Sequence, residues 1–291
     1  MDRKQRLDAF GAASLTAFSV LLGANQVVIK LTNEGLGPVF AAGLRSTGGI
    51  ACILLWMAWR GIRPDLRRGT WPFGVLLGLI FALEFVCLFL ALDLTTVARA
   101  SVVFYSMPVW LTLAANFLIP GERMGPKTVA GLAIALAGVA WAMGGAVLTP
   151  GPVTGDLLAL AAAICWAGIA LIARATPISK VRPETQLLWQ LVVSAPVLVA
   201  VAPAFGPLLR DPTLWTWAGL GFQTVLVVSA GFLFWFWLLT IYPAGIVASF
   251  AFLTPIFGVA FGAFFLGEPL TVSIVGALAL VCLGLWLITR R

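Results

Sequence analysis

The chain has 291 residues, of which 61% are hydrophobic and only 10% charged, with a formal net charge of +7 and no histidine. A soluble domain needs roughly 25% charged residues to cover its surface, so a water-soluble globular protein is excluded. The lack of histidine removes the commonest metal ligand and general base, and with them every Ser–His or Cys–His catalytic arrangement.

The apolar residues fall into segments of about 20 residues, the length a helix needs to cross a ~30 Å hydrocarbon core. Ten are counted in chain order: 9–30, 37–59, 71–92, 95–118, 127–147, 156–175, 184–203, 215–240, 244–266 and 270–289. Barrel strands are shorter and alternate polar with apolar residues, so the expected fold class is an all-α membrane protein of ten transmembrane helices. The first segment is too long for a signal h-region and lacks a convincing cleavage site, so it is expected to be retained. Cys52, Cys87, Cys165 and Cys282 stand alone in four different spans with no C-x-x-C pair, and are read as small packing residues.

The basic residues sit mostly on one side. If the N-terminus is cytoplasmic, that face collects Arg3, Lys4, Arg6, Arg60, Arg63, Arg67, Arg68, Arg123, Lys127, Arg174, Lys180, Arg182, Arg290 and Arg291, fourteen of the 18 Lys and Arg residues. The outer face has Lys30 and Arg210, while Arg45 and Arg99 lie within spans. This pattern predicts both termini inside and gives the positive charge a membrane origin, with no nucleic-acid partner. Each outer connection carries one acid: Glu34, Asp93, Asp156, Asp211 or Glu268.

One stretch of the sequence recurs. Val97-Ala98-Arg99-Ala100-Ser101-Val102-Val103-Phe104-Tyr105-Ser106-Met107-Pro108, closing on Gly121-Glu122, is echoed by Ala244-Gly245-Ile246-Val247-Ala248-Ser249-Phe250-Ala251-Phe252-Leu253-Thr254-Pro255, closing on Gly267-Glu268. Asp8 onward matches Asp156 onward, which pairs Phe18 with Trp166, and Pro108 pairs with Pro255. Five spans per half is an odd number, so the second half enters from the opposite side. The expectation is an inverted repeat of residues 9–147 and 156–289, joined by an outer Pro/Gly linker at 148–155. Pro108 and Pro255 are expected to interrupt spans four and nine. Gly74/Gly78 and Gly258/Gly262 have the small-xxx-small spacing of close helix packing.

At these residues the chain resembles the drug/metabolite transporter superfamily, in particular its EamA type. The resemblance rests on the two Gly-Glu endings, Leu22-Gly23-Ala24-Asn25 and Ala42-Gly43-Leu44-Arg45, and extends over residues 9–289. Leu83-Glu84, Val103-Phe104-Tyr105-Ser106-Met107-Pro108, Ile164-Cys165-Trp166-Ala167 and Leu253-Thr254-Pro255 look most like the YddG-type exporters of aromatic amino acids. The resemblance implies a bacterial inner-membrane exporter of amino acids and related metabolites.

Depth places the candidate site. At ~1.5 Å per helical residue, Tyr105 and Trp166 each lie roughly 15 Å below the outer face, with Thr254 and Pro255 as deep from the cytoplasmic side and Phe18 slightly shallower. Ser101, Tyr105, Pro108 and Thr112 share one face of span four. Together with Met107 these residues outline a midplane hollow suited to an apolar or aromatic side chain; the competing reading for Tyr105 and Trp166 is core packing. Glu84 lies near the bilayer centre. It either titrates during transport, contacts a substrate amino group, or is a protonated structural acid. Arg45 and Arg99 are nearer the outer surface, where they snorkel, pair with Glu34 or Asp93, or meet a substrate carboxylate. Trp235 and Trp237, with Trp56, Trp59, Trp71, Trp215 and Trp217, read as interfacial belt residues.

The function expected is therefore secondary transport, exporting aromatic and other apolar amino acids by alternating access. No G-x-x-x-x-G-K-[ST] loop exists, no cofactor is expected, and the scattered acids form no catalytic constellation, so an enzyme is disfavoured. The alternatives are export of another organic solute (a nucleobase, sugar or organic cation) and, from another class, an ion channel. The oligomeric state stays open and is compatible with a monomer.

Overall fold

A computed structural model describes residues 8–65, 68–119, 124–144, 153–242, 250 and 252–289. The Gly121-Glu122 ending, most of the 148–155 linker, the 244–249 part of the repeat and several terminal basic residues lie outside the described residues. The fold is all-helical. In chain order the helices are α1 (Ala9–Gly35), α2 (Pro38–Trp59), α3 (Trp71–Leu94), α4 (Val97–Phe104), α5 (Met107–Leu118), α6 (Pro126–Gly144), α7 (Val153–Ala175), α8 (Pro183–Val201), α9 (Leu214–Gly221), α10 (Phe232–Ile241), α11 (Leu253–Leu266) and α12 (Val272–Thr289).

Among the described residues, eight helical segments are long and apolar enough to cross a membrane, the fourth combining α4 with α5 and the eighth running from α9 into α10. Two shorter apolar helices, Leu253–Leu266 and Val272–Ile288, follow them. Large apolar side chains such as Leu55, Phe117 and Phe264 are exposed at 71%, 76% and 80%, a surface suited to lipid rather than water.

Helix starts follow local chemistry. Asp8 caps α1 by accepting from the Gly11 amide at 2.8 Å. Proline opens α2, α3, α5 and α8 within their first two positions, where a missing N–H costs nothing. Span four is interrupted at Pro108 as expected: the proline belongs to the first turn of α5, and the break falls just upstream of it. A proline ring clashes with the carbonyl four residues earlier, here Phe104, the last residue of α4. The intervening turn is held by Ser106, whose hydroxyl donates to the Val103 carbonyl (2.6 Å) and accepts from the Trp110 indole (3.1 Å). Pro255 likewise sits in the first turn of α11. Span eight is not one regular helix either. Residues Phe222–Gly231 between α9 and α10 form a π-helix, in which the Ser229 hydroxyl donates to the Thr224 carbonyl five residues back at 2.8 Å.

Small residues set the helix contacts. A Cβ at Gly74 or Gly78 would collide with Trp189 or Val193 of α8, so this pair serves close packing of α3 on α8. In the α6–α12 contact, a Cβ at Gly284 would stand 2.5 Å from the Gly131 carbonyl oxygen. Gly258 of α11 receives Ser101 of α4, and Gly262 receives Glu268 and Val97.

Candidate functional site

Tyr105 and Trp166, matched in depth by sequence, are in contact. Trp166 of α7 stacks on Phe104 (centroids 5.0 Å apart, planes at 17°) and takes Tyr105 edge-on (6.0 Å, 72°). The Pro108 break makes this arrangement, since it ends α4 at Phe104 and leaves Tyr105 in the turn. Tyr105 is buried and its hydroxyl fully used: it donates to the Leu22 carbonyl (3.2 Å) and accepts from Gln26 Nε2 (3.1 Å). Trp166 is half-buried.

Charged side chains are also buried inside the bundle. Arg45 of α2 is only 2% exposed, its guanidinium 3.9 Å from the Phe85 ring centroid and 5.3 Å from that of Phe89. Glu84 of α3 is 4% exposed, and it and Arg45 act electrostatically on one another. The field of Glu84 also reaches Tyr105 and Cys165, the neighbour of Trp166. Arg45 therefore lies over two phenyl rings, whereas the sequence had it snorkelling, pairing with Glu34 or Asp93, or meeting a substrate carboxylate. Among the described residues, four buried polar atoms of this region have no hydrogen-bond partner: Asn25 Oδ1, Gln26 Oε1, Arg45 Nε and Ser101 Oγ. Gln26 escaped the sequence reading, although adjacent Asn and Gln in a long apolar helix are a visible signal of a polar interior.

The other expected residues are spread. Phe18 lies outside the Trp166 cluster and stacks on half-buried Trp235 at 4.9 Å and 26°. Ser101 is wholly buried where α4 crosses α11. Met107 is half-buried at the start of α5, and Pro108 follows it. Thr254 and Pro255 are buried in the first turn of α11. A cavity of about 420 Å³ lies elsewhere, between α2 and the π-helix and α10, lined by Cys52, Trp56, Val225, Ser229, Leu233 and Trp237 among others. None of the expected site residues lines it.

At the end of the bundle that the charge pattern assigns to the outside, polar contacts join many elements. Arg99 grips Asp156 of α7 with Nε and Nη2, and Thr95 Oγ1 donates to the same carboxylate at 3.3 Å. Asp93 instead pairs with Arg210 (2.8 Å), so neither acid proposed for Arg99 is its partner. Glu268 accepts from the Val97 and Ala98 amides (2.7 and 2.9 Å), capping α4 from the α11–α12 connection. Lys30 donates to the Leu92 and Thr95 carbonyls at the end of α3. At the opposite end, Tyr242 donates to Asp8 at 2.5 Å. Among the described residues, no group of three or more Cys, Asp or Glu is placed to hold a metal.

The model of the EamA-like transporter family matches residues 9–144 and 153–290. The chain belongs to that family. It is 29% identical to the aromatic amino acid exporter YddG of Ancylobacter novellus, over 76% of this chain and 74% of that protein. It is 26% identical to the aromatic amino acid exporter YddG of Salmonella typhimurium, over 99% of both. A solved crystal structure, 22% identical, superposes with a TM-score of 0.69 and covers 95% of this chain and 98% of its own, which supports the fold. The chain is thus a multi-pass membrane protein of a transporter family.

Proposed function

We propose that the protein exports amino acids with aromatic and other apolar side chains across a bacterial inner membrane by alternating access, as a ten-span bundle of two inverted halves, 9–147 and 156–289. The observation that carries the substrate reading is a ring cluster (Phe104, Tyr105, Trp166) in a bundle interior that also buries Glu84 and Arg45. An apolar side chain finds a ring face, and a zwitterionic head finds both signs of charge. The names of both YddG relatives point the same way.

Helix packing supports the inverted repeat. Under an in-plane two-fold, the pairs α2–α8, α6–α12 and α4–α11 map onto themselves, while α3–α7 maps onto α1–α9 and α1–α11 onto the α4/α5–α7 contact; all these pairs are packed. The acids Asp8 and Asp156, matched in the sequence, also hold equivalent connections at opposite ends, through Tyr242 and through Thr95 with Arg99. In an alternating cycle these two contacts open in turn.

Uptake by proteoliposomes of a panel of labelled amino acids tests the reading. Saturable phenylalanine and tryptophan counterflow is expected. Counterflow of a nucleobase, sugar or organic cation alone would replace the cargo, and conductance without counterflow would indicate a channel.

A further inference from the structure

Gln26 belongs to no motif of the sequence reading, yet its side chain is oriented by the residue it touches. It is 1% exposed and lies nine positions from the end of α1, ~14 Å deep. By the same measure Tyr105 is ~12 Å, Arg45 ~10 Å and Glu84 ~15 Å from the ends of their helices on that side. Four different elements thus bring polar groups to similar depth, and of these Gln26 and Tyr105 are hydrogen-bonded to one another.

The orientation of the Gln26 amide follows from its neighbour. Tyr105 spends its only proton on the Leu22 carbonyl, so its oxygen can only accept a further hydrogen bond. Gln26 must then turn its NH₂ towards Tyr105, and the carbonyl oxygen is left facing away, buried and without a partner among the described residues. A flipped amide would set oxygen against oxygen. A folded protein keeps few such orphaned acceptors, and one held open by a neighbouring residue needs a donor from elsewhere. At a similar depth, Arg45 Nε is an orphaned donor. Asn25 Oδ1 is also unpaired, but successive helical side chains do not face the same way, and it is left out of the site.

Resting on the amino-acid reading of the proposed function, we infer that Gln26 Oε1, oriented by Tyr105, accepts a hydrogen bond from the ammonium group of a zwitterionic amino acid whose carboxylate is taken by Arg45. An ammonium offers three donors and no acceptor, so it suits a layer that presents the Gln26 oxygen and the Glu84 carboxyl. Arg45 presents the complementary N–H. Tyr105 is then a positioning residue, separate from the ring face of Phe104 and Trp166 that receives the side chain.

Three probes dissect the head group in proteoliposome competition assays against labelled phenylalanine: phenylalanine itself, 3-phenylpropanoate, which lacks the ammonium, and phenethylamine, which lacks the carboxylate. Wild-type protein should prefer phenylalanine to 3-phenylpropanoate. Gln26→Leu should weaken phenylalanine and phenethylamine ~10- to 100-fold, the worth of a hydrogen bond to a charged group, while leaving 3-phenylpropanoate unchanged. Tyr105→Phe frees the amide to flip and should erode the same preference in part, with Gln26 still present. Arg45→Gln should do the reverse, weakening phenylalanine and 3-phenylpropanoate but not phenethylamine. Equal loss for all three probes in monodisperse Gln26→Leu protein would overturn the assignment. So would wild-type protein that does not discriminate phenylalanine from 3-phenylpropanoate, an outcome independent of how any variant folds. Wild-type protein that moves no amino acid at all would instead sink the amino-acid reading on which this one rests.

Discussion

Trp166 joins a packed ring cluster and a half-buried surface, and substrates of different size separate the two roles. An aromatic ring pair is worth ~0.5–1.5 kcal/mol beyond burial, a roughly two- to tenfold change in affinity. Trp166→Ala is expected to weaken transport of tryptophan and phenylalanine by that factor while sparing threonine, measured in proteoliposomes at matched folded yield. Equal losses for all three would leave Trp166 as packing for Phe104 alone. Glu84→Gln tests ion coupling. Arg45 on α2 is the charge that acts on Glu84, and the field of Glu84 in turn reaches Tyr105 after α4, Cys165 on α7 and Cys87 on α3. The variant should transport slowly and lose its pH dependence; unchanged rate and pH response would reduce Glu84 to a structural acid. Arg45 and Glu84 are both buried and act on each other electrostatically, so Arg45→Gln should lower the melting temperature, and adding Glu84→Gln should restore part of it. A double variant as unstable as the sum of the singles would show that the two charges do not support each other. Depth arithmetic alone brought Tyr105 and Trp166 to one level, and they do touch. It failed for Phe18, because height along a helix does not give the direction a side chain faces, and Phe18 faces Trp235.

At the scale of elements, hydropathy located the helices well because each span must be apolar over a length set by the bilayer, not by its neighbours. The breaks were harder to read. Pro108 signals an interruption, but the steric conflict falls four residues upstream, so the gap opens at Tyr105–Ser106. The π-helix of span eight carries no proline; within it Thr224 lies against Gly48 of α2, and its carbonyl accepts from Ser229. The cap on α4 is also invisible from local sequence, since its carboxylate comes from Glu268, 171 residues beyond Val97. That cap ties two elements of the outer end together. Glu268→Ala should cost about 0.5–2 kcal/mol of stability, as loss of an N-cap does. If the outer end opens during transport, the variant should also raise the labelling of a cysteine at Ser101 by an impermeant thiol reagent. Unchanged melting and unchanged labelling would make the contact incidental to both folding and gating.

At the scale of the whole molecule, the contacts among the described residues sort the connections they join into the same two sets that the charge pattern does. The α1–α2 connection meets the loop before α9 through the amide of Gly37 on the Leu208 carbonyl and that of Arg210 on the Gly35 carbonyl (2.9 and 2.8 Å), while Asp93, Thr95 and Glu268 join the same end. The loop after α2 meets the start of α8 at the other end, where the Asp65 amide donates to Thr185. This grouping fixes which connections share a face, and the side on which each face lies rests on the basic residues. Arg60, Arg63, Lys180 and Arg182 all belong to the second set, whereas Lys30 and Arg210 of the first are spent on the α3 carbonyls and on Asp93. Basic residues held in structural contacts say little about orientation, so removing them from the count sharpens the bias towards a cytoplasmic second set. Single cysteines at Arg63 or Lys180, in a background freed of the four native cysteines, should therefore be shielded from an impermeant thiol reagent in intact cells, and one at Asp211 should label. Labelling at Arg63 from outside would invert the bundle, turning the Arg99–Asp156 and Glu268 contacts into a cytoplasmic closure and export into a reading without topological support.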